Sequence, residues 1–301
     1  MTWSIIARDE ATGAKGIAVA TRAFAVGSIV PHIDSDDGAV ATQALANITY
    51  GPRGLRLLRE GLPAEEVLRV LLASDGGASQ RQVHIMDSAG RFAAHTGADC
   101  IDWCGHAIHD GFSVAGNMLA GPEVIAETAR VFAEGADLPF PRRLIAAMRA
   151  GEAAGGDKRG KQSAALLIHT TEDYPHLSLR VDDHTEPLQE LERLEKVWRQ
   201  RAIHFNALLA TRRDPTGTID RAAINAAIDA ARARARGSVE DLHVRQRESQ
   251  SRLELAERAT EALDRARSLR GELEAREHDL RAELDAAAAR LAELDTARTV
   301  L

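Results

Sequence analysis

Two hydrophobic rhythms alternate along the first 180 residues. Runs with a period of two predict strands, and runs with a period near 3.6 predict helices. Thr2 to Ala7 reads as a strand, followed by the turn Thr12-Gly13-Ala14-Lys15-Gly16 and a hairpin partner from Ile17 to Arg22. Ser28 to His32 and Ala39 to Gln43 read as further strands. Pro52 to Glu60 carries Leu55 and Leu58 at helical spacing, and Ala64 to Ala73 carries Val67, Val70 and Leu71. Gln82 to Met86 and Arg91 to His95 flank Asp87-Ser88-Ala89-Gly90, a hairpin signal. Phe112 to Ala115 continues a sheet. Pro122 to Glu134 and Pro141 to Ala150 predict two more helices, and Ser163 to Thr170 and Leu177 to Val181 two closing strands. Strands, a helix pair, strands, a helix pair and strands together predict a layered α+β domain.

The grammar changes near residue 186. Glycine nearly vanishes, and Ala, Arg, Glu and Leu take over, the composition of long helices or coiled coil. Leu188, Leu191, Leu194, Val197 and Trp198 mark an amphipathic helix. Asp214-Pro215 breaks it. Thr218 is the expected cap of the next helix, whose apolar stripe is Ile219, Ile224 and Ile228 and whose end is expected at Gly237. Ser238-Val239-Glu240-Asp241 resembles a capping box for a last helix. There Leu273, Leu280, Ala287 and Leu294 form a heptad series, with Leu263, Leu284 and Leu291 on the neighbouring seam. Both a coiled coil and a solvated helix remain open. The predicted domains are residues 1–205 and an all-α extension over residues 206–301.

Composition narrows the class. The chain has 301 residues, is 45% hydrophobic and only 4% aromatic, so its core must rest on Ala, Val, Ile and Leu. A net charge of -7 argues against nucleic acid as the partner. No apolar run approaches the roughly 20 residues of a membrane helix. The N-terminal stretch lacks the basic and apolar segments of a secretory signal. A cytoplasmic protein is expected.

The chemistry begins at Thr2. Methionine is removed when a small residue follows it, so the mature chain is expected to start at Thr2 with a free α-amine. One residue then supplies a hydroxyl nucleophile and, in an amine with an ordinary pKa of about 7.7–8.0, its base. A terminal strand holds such a nucleophile rigidly. Ser4 shares its strand face but lacks the terminal amine.

Five segments occur in order: TWSIIARDEATGAKGIAVATRAFAVGSIVP, GAVATQALANITYGPRGLRLLREG, AAHTGADCIDWCGH, VAGNMLAGPEV and GGDKRGKQSAALLI. Over about residues 1–200 the chain resembles the bacterial domain of unknown function family 1028. That family is grouped with the N-terminal nucleophile (Ntn) hydrolases. The resemblance implies a four-layer αββα sandwich, two packed sheets between two helical layers. It also implies attack on an amide carbonyl by the first residue of the mature chain, the role only Thr2 can fill.

Around Thr2, each candidate has a functional and a plain reading. Arg22 ends the second strand and either lowers the amine pKa as a nearby cation or is a surface strand end. Asn117 either donates to an oxyanion or forms a turn. Gln43 and Asn47, at another strand-to-helix junction, could read a polar substrate. Gly155-Gly156-Asp157-Lys158-Arg159-Gly160-Lys161-Gln162-Ser163 is the densest polar stretch. There Asp157 and Lys158 could orient substrate, with Gln162 and Ser163 beside them. It lacks the P-loop spacing and leads into a strand, which argues against nucleotide binding. Cys100, Cys104, His106 and His109 do not match a common zinc spacing, and no metal or other cofactor is expected. The expected activity is hydrolysis of a small polar amide or peptide-like substrate by a homo-oligomer. The alternative is a catalytically silent Ntn-like scaffold whose helical tail mediates assembly.

Overall fold

The computed structural model describes residues 2–206 and 208–300. Met1, on which the expected N-terminal processing turns, lies outside the described residues. So do the side chains of Ser238 to Asp241 in the expected capping box, and of Leu291 and Leu294 in the heptad series.

The first hairpin forms as its pattern predicts. Strands β1 (Thr2–Arg8) and β2 (Lys15–Thr21) pair antiparallel, with Trp3 opposite Ala20. The turn between them closes through Asp9 N–H to the Ala14 carbonyl at 2.8 Å and needs Gly13 at φ +72°. Next come β3 (Pro31–Asp34) and β4 (Gly38–Ala44). The strand expected from Ser28 starts three residues later, after a 3₁₀ turn at Val26–Ser28. Pro31, which cannot donate to a ladder, opens an edge strand instead.

Helices α1 (Tyr50–Arg59) and α2 (Ala64–Ala73) follow. The hairpin of β5 (Arg81–Asp87) and β6 (Phe92–Thr96) turns on Asp87, whose carboxylate accepts the Ala89 and Arg91 N–H groups at 3.0 Å each. Strand β7 (Gly105–His109), which the sequence pattern does not predict, precedes β8 (Phe112–Asn117). Then come α3 (Glu123–Glu134), α4 (Phe140–Ala153), β9 (Ser163–His169), β10 (Leu177–Val181) and α5 (Pro187–Val197).

The strands form two antiparallel sheets, β10-β9-β2-β1-β8-β7 and β3-β4-β5-β6. Three apolar cores separate the elements. Trp3, Ile5 and Ala7 of β1 join α3, α4 and α5 in the first. Ile6, Ile17, Val19, Val30 and Ala41 fill the second, between the sheets. Val40, Val83 and Ile85 meet α1 and α2 in the third. Because β1 is central in its sheet and covered on both faces, its side chains from Thr2 to Ala7 end up inside on both faces. The fold is mixed α and β, with antiparallel sheets and a helical C-terminal part.

The chain divides into two units, one ending at Arg232 and one beginning at Ala233. The stretch after residue 205, where the sequence pattern starts the extension, is tied into the first unit. Tyr174 Oη donates to the Ala210 carbonyl at 2.7 Å, and Arg212 pairs with Asp36 at 2.7 Å and with Asp173. Helix α6 (Ile203–Asn206) is short, and α7 spans Arg221–Val300. Its cap is Asp220, which accepts the Ala223 N–H at 2.9 Å, in place of the expected Thr218. The helix runs through Gly237, where a break was expected; one glycine costs only about 1 kcal/mol in a helix interior. No helix of the described residues is long and apolar enough to cross a membrane.

Candidate active site

The space between the sheets is apolar at one end and polar at the other. Thr2, Ser4 and Ile6 point from β1 toward the second sheet, and only Ile6 enters the apolar part. Ser4, Gln43, Gln82, His84, Ser113 and Asn117 are all buried. Buried polar groups must find partners, and here they find one another.

Gln82 is the hub. Its Oε1 accepts from Gln43 Nε2 at 2.8 Å and from Asn117 Nδ2 at 2.9 Å. Its Nε2 donates to the Gly116 carbonyl at 2.8 Å, to Thr96 Oγ1 at 2.9 Å and to the Gly105 carbonyl at 3.0 Å. Gln43 Nε2 and Asn117 Nδ2 each also donate to the carbonyl of Thr2 at 3.3 Å. Two side-chain amides, one from each sheet, therefore hold the main chain of the candidate nucleophile. Thr2 pairs with Asn117 across β1 and β8, and its Oγ1 donates to Thr21 Oγ1 at 3.2 Å.

A branch fixes a histidine tautomer. Ser4 Oγ gives its proton to Gln43 Oε1 at 2.7 Å, so His84 Nε2 must donate to Ser4 Oγ at 2.9 Å. His84 Nδ1 then accepts from Ser113 Oγ at 3.1 Å. The ring is neutral, and burial pushes its pKa down to about 3, with His106 pushing the same way. Unfolded chains bind a proton here that folded chains refuse between pH 6.5 and about 3. Stability is therefore expected to fall as pH drops through that window, by up to about 1.4 kcal/mol per pH unit from this group. Urea midpoints of wild type and His84→Gln, measured from pH 7 to pH 4, should converge as pH falls.

The polar loop between α4 and β9 forms a second group. Asp157 is buried and accepts the Arg22 N–H at 2.7 Å, the Arg159 N–H at 2.9 Å and the Arg159 guanidinium at 3.3 Å. Arg22 Nη1 donates to Gln162 Oε1 at 2.8 Å, and Gln162 Nε2 reaches Asp183 at 3.1 Å. A cavity of about 80 Å³ lies here, lined among others by Thr21, Glu152, Gly155, Asp157 and Lys161. Gly155 sits at φ +115°, and a Cβ there would meet Ala120 Cβ at 2.5 Å, so the loop's approach requires glycine. On the other side of Thr2, Asn117 lines a cavity of about 340 Å³.

The structure thus joins Thr2, Gln43 and Asn117 directly, and links them through Thr21 to the cavity that Asp157 lines. Arg22 and Gln162 bind each other at its outer side. Three other candidates have separate tasks. Asn47 donates to Asp75 at 2.9 Å and accepts from Thr49 at the start of α1. Lys158 Nζ donates to the Asp102 carbonyl at 2.6 Å. Ser163 Oγ donates to the Ala23 carbonyl at 2.6 Å and accepts from Val26 N–H at 3.1 Å, shaping the turn after β2. Among the described residues, no group of three or more His, Cys, Asp and Glu is placed to hold a metal ion. Sequence reasoning missed Gln82, Thr21 and His84.

Residues 2–191 match the model of a family of unknown function, DUF1028. The chain belongs to that family. Protein SPO2555 from Silicibacter pomeroyi, whose crystal structure is described by the same family model, is 33% identical. That match has a TM-score of 0.68 and covers 73% of this chain and 96% of SPO2555. Anbu (ancestral beta-subunit) from Yersinia bercovieri matches at 11% identity and a TM-score of 0.34, over 66% of this chain and 97% of that one. No curated protein matches the chain. The DUF1028 match takes in β1 to β10 and the first turn of α5; α7 lies outside it.

Proposed function

We propose that this DUF1028 protein is an N-terminal nucleophile amide hydrolase built on an αββα sandwich, with Thr2 as its nucleophile after loss of Met1. The observation that carries this reading is the clamp on Thr2. Its carbonyl accepts two buried side-chain amides while its hydroxyl bonds Thr21. A hydroxyl so fixed is pre-organised for attack.

In the proposed reaction Thr2 Oγ attacks the amide carbonyl and the α-amine takes the hydroxyl proton. The C–N bond breaks as the resulting ammonium returns a proton to the leaving nitrogen. Water, deprotonated by the same amine, then hydrolyses the ester. Asn117 is a positioning residue in this scheme, since both its amide hydrogens are committed to the Thr2 carbonyl and Gln82. Intact-mass measurement should find the mature chain lacking Met1. An electrophilic amide-hydrolase probe should label residue 2 at its hydroxyl. A chain that retains Met1 overturns the mechanism.

Helix α7 supports self-association as a second property. Leu273 and Leu280, one heptad apart, are 62% and 50% exposed. Leu273→Glu with Leu280→Glu is expected to lower the sedimentation-derived mass of the assembly without lowering turnover.

A further inference from the structure

We propose that the cavity beside Asn117 binds an aliphatic chain carrying a primary ammonium, with the ammonium set against Asp99. Resting on the reading of Thr2 as nucleophile, this makes the substrate class α-amino amides with aliphatic side chains.

The volume of about 340 Å³ falls at the lower end of the roughly 300–1,000 Å³ typical of small-ligand sites. Its walls are Ala44, Leu45, Cys100, Ile101 and Met118, with Asn117 and Asp99 among its polar groups. Leu45 and Ile101 are 61% and 55% exposed, an apolar surface that a ligand would take out of water. Asn117 of the Thr2 clamp lines the cavity. Ala44 follows Gln43 at the end of β4, and Met118 follows Asn117 just past β8. Both sit in the left-handed region, at φ +70° and +52°, conformations that non-glycine residues seldom adopt. The wall is held in place as well. Met118 N–H donates to the Ile101 carbonyl, and Asp99 N–H to the Ser79 carbonyl, each at 2.8 Å.

Charge selects the ligand. Among the described residues the lining contains no lysine or arginine, and its charged side chain is Asp99. Asp99 makes no ion pair among the described residues, whereas the nearby cations are engaged. Arg81 reaches the Leu45 carbonyl at 2.5 Å but pairs with Asp75 at 3.0 Å, and Lys158 is held by the Asp102 carbonyl. Burial, then the Asp99 charge, pushes the Cys100 thiol up, so that wall stays neutral. An ammonium gains a charged partner at Asp99 in this cavity, and a carboxylate is repelled there.

The test uses the full chain and isopentylamine, which has the aliphatic chain and the ammonium but no bond to hydrolyse. Binding is read by ligand-observed NMR or calorimetry. Asp99→Asn is expected to weaken it about fivefold, the scale of a partly exposed charge pair. Ile101→Ser is expected to weaken it several-fold. Isovalerate, the anion of similar shape, should not bind. Both substituted side chains are exposed, and unchanged melting temperatures will show that the variants fold. In turnover, leucinamide should be preferred over N-acetylleucinamide, and Asp99→Asn should abolish the preference. No amine binding by wild type, equal binding by Asp99→Asn, or isovalerate binding as tight as the amine overturns the proposal. Because binding needs no turnover, the two readings fail separately. Amine binding without amide hydrolysis removes the nucleophile alone. Hydrolysis with amine binding indifferent to Asp99 removes this inference alone.

Discussion

Thr2→Ala is expected to abolish amide hydrolysis, with a fall in kcat/KM of about 10⁴-fold or more, the scale on which nucleophile removal acts in hydrolases. The fold should survive. Alanine keeps the strand geometry, and the clamp on residue 2 acts through its carbonyl, which the substitution leaves in place. The loss to stability includes the neutral hydrogen bond from Thr2 Oγ1 to Thr21 Oγ1, worth about 1 kcal/mol. Thr2→Ser retains both hydroxyl and amine and should stay within about tenfold of wild type, since it removes only the methyl that stiffens χ1. Alanine and serine are both small enough to permit methionine removal, so intact mass should find the same N-terminus in all three chains. Activity surviving Thr2→Ala would instead favour a scaffold whose function lies elsewhere.

What could be read from the sequence was local. The β1–β2 and β5–β6 hairpins announce themselves through turn residues within a few positions. Asp87 and Gly90, at φ +81°, do in space what their types suggest. Strand β7 was missed because it is an edge strand with one partner and largely exposed, so Gly105–His109 shows no buried alternation. The pairing of Thr2 with Asn117 joins positions far apart in the chain and leaves no local mark. Strand β5 misleads in a different way. Val83 and Ile85 alternate with Gln82 and His84, a pattern that reads as one buried face and one wet face. Both faces are buried, and the polar one meets the other sheet. A buried polar layer between two sheets imitates a solvent face. Gln43 and Asn117 could be picked out by their place at strand ends, but their common partner Gln82 could not. Asn47 and Ser163 also make bonds that no short stretch reveals: Asn47 reaches Asp75, and Ser163 Oγ bonds Ala23 and Val26 in the turn after β2.

Gln82→Leu should test how much the clamp depends on that hidden partner. Leucine fills a similar space but can neither donate nor accept. The Gly105 and Gly116 carbonyls lose a donor, and Gln43 and Asn117 lose an acceptor. Unsatisfied buried groups cost about 1–3 kcal/mol each, and partial relaxation toward the remaining partners brings the expected total to about 3–5 kcal/mol. At about 2–4 °C per kcal/mol for a unit of this size, the melting temperature should drop by about 10 °C. With Asn117 released, Thr2 loses its orientation. The expected kinetic signature is a fall in kcat with KM little changed, which general loosening would not produce. Gln82→Glu separates donation from acceptance. A carboxylate still accepts from Gln43 and Asn117, but its second oxygen faces two carbonyls where an N–H had been. Burial and those carbonyls favour the protonated form, so the folded-state pKa rises above the unfolded value of about 4.3. Protons are then retained on folding, and the variant's stability relative to wild type is lost as pH rises from about 4.3 through the raised value. The deficit of Gln82→Glu against wild type should therefore be smallest near pH 4 and should grow toward pH 8. In urea denaturation a pH-independent deficit would mean that the Gln82 amide hydrogens do not hold the two sheets in register.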